Sequence, residues 1–128
     1  MLLLDTCVLL WLEIDRGRLP AGVLKLLVEH DVDRHVSPIS AFEIAWKAKR
    51  GRLQLAMPPA EWFAGMVERY ALQQAALDWR IAVRAAELDL PHGDPCDRVI
   101  AATAAVHGFT LLTPDEHFAR CTGVRVAW

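Results

Sequence analysis

Short apolar runs recur along this chain with helix-length patterns between them, and that alternation restricts the fold more than any other feature. Strands are expected at Met1–Leu4, Arg34–Val36, Gln74–Leu77, Phe109–Leu112 and Val124–Ala127. The intervening patterns predict helices over Thr6–Ile14, Pro20–His30, Pro38–Arg50, Pro58–Ala71, Trp79–Asp89 and Pro95–His107. Gly51 and Gly108 stop two of these helices, and Pro58-Pro59 stands at the entrance of another. Strands separated by helices cannot pair as hairpins, so they are expected to lie parallel, joined by right-handed crossovers, with helices on both faces. The expected fold class is α/β, a three-layer α/β/α domain around a mainly parallel central sheet. With 128 residues, no internal repeat and no linker, residues 1–128 read as a single domain.

Composition narrows what such a domain does. A hydrophobic fraction of 54% supplies ample core without a metal or disulfide staple. The formal net charge of −2 argues against a general nucleic-acid coat, so any nucleic-acid contact is expected to be local. No apolar run approaches the ~20 residues of a membrane-spanning helix, and Asp5 interrupts the opening run with no basic residue before it, unlike a secretory signal. Cys7, Cys96 and Cys121 are odd in number and lack a C-x-x-C pair, which fits a reducing cytoplasm.

Four acids occupy a repeated kind of position, just after a strand or early in the next helix: Asp5, Glu43, Asp97 and Asp115. Each has a purely structural explanation. Asp5 can cap the helix beginning at Thr6, and Ser40-Ala41-Phe42-Glu43 has the pattern of a capping box. Asp94-Pro95-Cys96-Asp97 reads as cap, proline and first-turn acid, an arrangement that Thr113-Pro114-Asp115-Glu116 repeats. Their coincidence is harder to explain singly, because the C-terminal ends of parallel strands share one edge, where ligands usually bind. Carboxylates gathered there repel and raise one another's pKa unless a cation neutralises them. Oxygen donors of this kind suit Mg²⁺ or Mn²⁺, and metal-assisted hydrolysis is the expected chemistry.

With these residues in view, the sequence resembles the PIN-domain ribonucleases, in particular the VapC-type toxins of bacterial toxin–antitoxin pairs. Met1-Leu2-Leu3-Leu4-Asp5-Thr6 looks like that family's opening strand and first ligand acid, and Ser37 to Ile44 like its second motif. The most specific match is His92 to Ala104, with Cys96 where an aromatic residue is common, and Leu112 to Phe118 resembles the fourth motif. The resemblance implies a PIN-like domain with Asp5, Glu43 and Asp97 as the metal-binding core and Asp115 as a further ligand, directly or through water. It implies an Mg²⁺- or Mn²⁺-dependent endoribonuclease, held inactive by a cognate antitoxin whose tail lies over the toxin, and pairing as a homodimer. Asp94 could reach metal or RNA, with an N-cap role set ahead of that. Thr6 and Thr113 could steady ligands or serve local turns. The complete set of acids argues against the alternative of a catalytically inactive interaction module, whereas a housekeeping PIN nuclease without an antitoxin would share those acids and differ in lacking toxicity and a binding neighbour.

Lys47, Lys49, Arg50 and Arg52 make the dense basic cluster, suited either to RNA phosphates or to the helix C-terminal dipole. Arg98 could contact phosphate, although an arginine in a first helical turn is commonly an exposed ion-pair partner. Of Trp11, Trp46, Trp62, Trp79 and Trp128, one could stack on a base, with core packing or a protein interface the more usual use. Rival nucleotide and phosphate families lack support: the second aspartate of haloacid dehalogenases is Cys7, and no G-x-x-x-x-G-K or G-x-G-x-x-G occurs. His92, His107 and His117 have no close zinc-ligand spacing.

Overall fold

The computed structural model describes residues 1–90 and 93–128. His92, the first residue of the third motif, lies outside the described residues. Along the chain run β1 (Leu2–Leu4), α1 (Thr6–Ile14), α2 (Ala21–Glu29), β2 (Arg34–Val36), α3 (Pro38–Lys49), α4 (Pro59–Arg69), β3 (Gln73–Gln74), α5 (Trp79–Glu87), α6 (Pro95–His107), β4 (Thr110–Leu112) and β5 (Arg125–Ala127). Two short 3₁₀ turns, Arg16–Arg18 and Glu116–Arg120, complete the order.

The five strands form one sheet in the order β3-β2-β1-β4-β5, with every adjacent pair parallel. Leu4 stands in register with Val36 on one side and Leu112 on the other, which makes β1 the central strand. Its side chains alternate between two cores. Leu2 and Leu4 join Val8, Leu9, Val23, Ile44 and Met66 on one face. Leu3 joins Ile81, Ile100, Leu111 and Phe118 on the other. Burial on both faces is why the central strand reads as a continuous apolar run and why the domain has three layers.

Local chemistry sets the boundaries. Ser37 caps α3 through a hydrogen bond from the Ile39 amide, with Pro38 as the first helical residue. The capping-box expectation for Ser40 to Glu43 is therefore corrected. Ser40 lies inside the first turn, fully buried, and its hydroxyl pairs with that of Thr6 at 2.9 Å. Gly108 closes α6 at φ 68°, a left-handed conformation that glycine adopts without steric cost. The third strand falls at Gln73–Gln74 rather than Gln74–Leu77, because an edge strand pairing only with β2 is fixed by His35 opposite Gln73, not by the apolar run that follows.

Candidate metal centre

Because all five strands are parallel, their C-terminal ends open on one edge of the sheet, and the chain order reverses beside β1, the usual place for a ligand crevice. Asp5 leaves β1 directly into α1 and caps that helix, its Oδ1 accepting from the Thr6 amide at 2.7 Å. Its second oxygen accepts from the Thr113 hydroxyl at 2.6 Å and from the Cys7 thiol at 3.6 Å. Thr113 follows the neighbouring strand β4 and also accepts from the Asp115 amide, so one hydroxyl ties the first acid to the fourth. The Asp115 carboxylate caps the 3₁₀ turn after it and pairs with His117 at 2.8 Å. Thr6 reaches Asp5 through its backbone, whereas its hydroxyl is committed to Ser40.

Glu43 sits in the second turn of α3, its side chain largely covered, with the Lys47 ammonium 3.7 Å from Oε2. Asp94 is the N-cap of α6, accepting from the Cys96 amide at 2.9 Å, and Asp97 follows within the first helical turn. Among the described residues, donor atoms of Glu43, Asp94 and Cys96 all lie within 4.8 Å of one another. Cys96 is a poor member of a hard-cation site, because burial and the acids Glu43 and Asp94 push its thiol up to about 11. The oxygen donors carry the chemistry of the set.

The acids feel one another strongly. Burial, followed by the charges of Asp94, Asp5, Glu43 and Asp115, pushes Asp97 up to about 7. Burial also raises Asp5, a tendency opposed by the hydrogen bonds from Thr113 and Thr6. Those bonds favour the ionised form without removing the repulsion, so the cluster fits a bound cation. A stability effect follows for the metal-free protein. Between its unfolded value near 3.8 and about 7, the folded state holds the Asp97 proton more tightly, so stability falls as pH rises through that window. Urea melts with chelator are expected to show greater stability at pH 5 than at pH 8, by about 1–2 kcal/mol after allowance for the exposed part of the carboxyl. A flat profile would mean that neither burial nor the neighbouring acids raise Asp97 in the folded protein.

Two residues proposed for RNA fall elsewhere. Arg98 donates to the carbonyls of Ala85, Ala86, Leu88 and Leu90, satisfying groups at and beyond the C-terminal end of α5 instead of an ion pair or an open phosphate site. Lys49 lies off the cleft beside Glu43, whose walls include Lys47, Arg50 and Arg52. The roles of Ser40 and Cys7 at Asp5 and Thr6 were missed in sequence, because neither hydroxyls nor thiols announce a buried partner.

Comparison with known proteins identifies the family. The PIN domain family model matches residues 2–124. Ribonuclease VapC22 of Mycobacterium tuberculosis is 36% identical over 115 residues, covering 89% of this chain and 86% of that protein. Among solved structures, VapBC2 from Rickettsia felis bound to a promoter DNA fragment superposes with a TM-score of 0.73 at 17% identity, covering 98% of this chain and 96% of that one. DNA-bound VapBC from Salmonella typhimurium gives 0.70 at 18% identity over the same shares, 98% and 96%. The family model over nearly the whole chain, the sequence match and the parallel fold together place the chain in the PIN-domain family, with the VapC-type ribonucleases.

Proposed function

We propose that this chain is a metal-dependent endoribonuclease and the toxin half of a cytoplasmic toxin–antitoxin pair, residues 1–128 acting as a single PIN domain in a homodimer. The observation that carries the reading is the convergence of Asp5, Glu43, Asp97 and Asp115, with Asp94, from separate segments onto one sheet edge, where burial and then the charges of its neighbours raise the pKa of Asp97. Asp5, Glu43, Asp97 and Asp115 would hold Mg²⁺ or Mn²⁺, Asp94 serving chiefly as the cap that sets the start of α6. When bound, such an ion stabilises negative charge on a phosphate and acidifies water, as phosphodiester hydrolysis requires.

The chain's own groups prepare that site. Thr113 and the Thr6 amide orient Asp5, much as outer-shell hydrogen bonds orient the ligands of other metal sites. Lys47, Arg50 and Arg52 bring positive charge to the cleft beside Glu43, where RNA phosphates would be attracted despite the acidic net charge. Lys49, at the end of the same helix, adds to that field from outside the cleft walls.

An antitoxin partner is supported by the VapBC assemblies among the structural neighbours. No helix among the described residues is long and apolar enough to cross a membrane. RNA cleavage by the partner-free protein tests the activity. Cleavage is expected with Mg²⁺ or Mn²⁺ and is expected to disappear with chelator and in Asp5→Asn; cleavage indifferent to both would defeat the metal-dependent reading. Co-expression with a small protein encoded beside this chain is expected to give a complex lacking that activity.

A further inference from the structure

Two large aromatic side chains stand unburied beside the acids. Phe42 and Trp46, one helical turn apart on α3, are 55% and 45% exposed. Their rings stack, with centroids 5.8 Å apart and planes inclined by 17°. The Arg50 guanidinium carbon lies 4.7 Å from the Trp46 ring centroid. Together with Arg52, Glu43 and Asp94, these side chains line a cleft of about 370 Å³, within the roughly 300–1,000 Å³ range of small-ligand clefts. Glu43 and Asp94 therefore belong both to this cleft and to the acidic cluster.

We propose that this face of α3 is a nucleobase subsite, in which an unpaired base of the RNA substrate stacks on the Phe42–Trp46 pair next to the scissile phosphodiester. The inference rests on the ribonuclease reading and adds to it the part of the substrate held outside the acids. A base offers the flat apolar face that continues the aromatic stack, and its flanking phosphates complement Lys47, Arg50 and Arg52. A single-stranded or looped target follows, because a base in a duplex has no free face to present. Charge also separates this cleft from the one between α3 and α4, whose walls are mainly alanine, proline, Phe63 and Val67 and suit a protein chain better.

Fluorescence anisotropy with a labelled single-stranded 12-nucleotide RNA, in chelator so that the probe stays intact, tests the subsite. Trp46→Ala and Phe42→Ala are each expected to weaken binding about 10-fold, and Trp46→Phe by less than about threefold. A probe of the same length with abasic sites should bind the native protein about as weakly as the intact probe binds Trp46→Ala, and should lose little further on that substitution. Both aromatics are exposed, so unchanged melting temperatures are expected and exclude a folding artefact. Equal affinity of native and variant proteins for the intact RNA would overturn the subsite, as would a loss of self-association or antitoxin binding with RNA affinity unaltered. If the native protein cleaves RNA with Mn²⁺ while the variants bind normally, the subsite alone fails; if the native protein neither binds nor cleaves RNA, the ribonuclease reading falls with it.

Discussion

Asp97→Asn is expected to abolish most metal-dependent RNA cleavage while making the metal-free protein more stable. The loss should exceed about 100-fold, since even a residue that only orients a ligand commonly accounts for 10–100-fold. The gain arises because Asp97 is pushed up to about 7 by burial and by the charges of Asp94, Asp5, Glu43 and Asp115, so above that pH the folded protein carries a carboxylate that is less favourable there than in the unfolded chain. Asparagine keeps the shape and removes the charge. At pH 8 in chelator the melting temperature should rise by roughly 4–8 °C, corresponding to about 1–2 kcal/mol. A metal-free variant less stable than the native protein would make Asp97 a structural residue first. Adding Mn²⁺ should reverse the order, stabilising the native protein and leaving the variant nearly unchanged.

The second large effect concerns Arg98. Its guanidinium donates to the carbonyls of Ala85, Ala86, Leu88 and Leu90, joining the first turn of α6 to the end of α5. Arg98→Ala leaves those acceptors without their charged donor and is expected to cost roughly 2–3 kcal/mol, a fall of about 10 °C in melting temperature. Arg98→Lys should recover less than half, because a compact ammonium cannot serve carbonyls spread in several directions. Denaturant midpoints check both. A phosphate-binding role would give the opposite signature, with weakened RNA affinity at unchanged stability.

The contrast between these two residues explains what was legible in the sequence. Asp97 announces itself: it follows a proline at the head of a helix, with an N-cap aspartate three positions earlier, and that local grammar survives folding intact. Asp5 and Asp115 are legible from local pattern too, Asp5 directly after a short apolar strand and Asp115 after the Thr113-Pro114 turn, each capping the helical turn that follows. Arg98 is silent because its partners are backbone carbonyls at and just beyond the end of another helix, groups that every residue possesses. The Thr113 to Asp5 bond spans 108 residues and the Thr6 to Ser40 pair 34, so only the paired strands bring them together. Ser40 and Ser37 were equally competent caps; the helix start at Pro38 chose Ser37 and released Ser40 for burial. Gln73 and Gln74 carry no β-pattern because they form an exposed edge, and their pairing with His35 and Val36 decides the strand.

The central claim is that the converging acids exist to hold a divalent cation. Calorimetric titration of Mn²⁺ into the partner-free, chelator-stripped protein, beside Asp5→Asn and Asp97→Asn, tests it without relying on any RNA. The account predicts saturable binding to the native protein and at least a tenfold loss of affinity in each variant. Absence of binding to the folded native protein, or equal binding by all three, would contradict it.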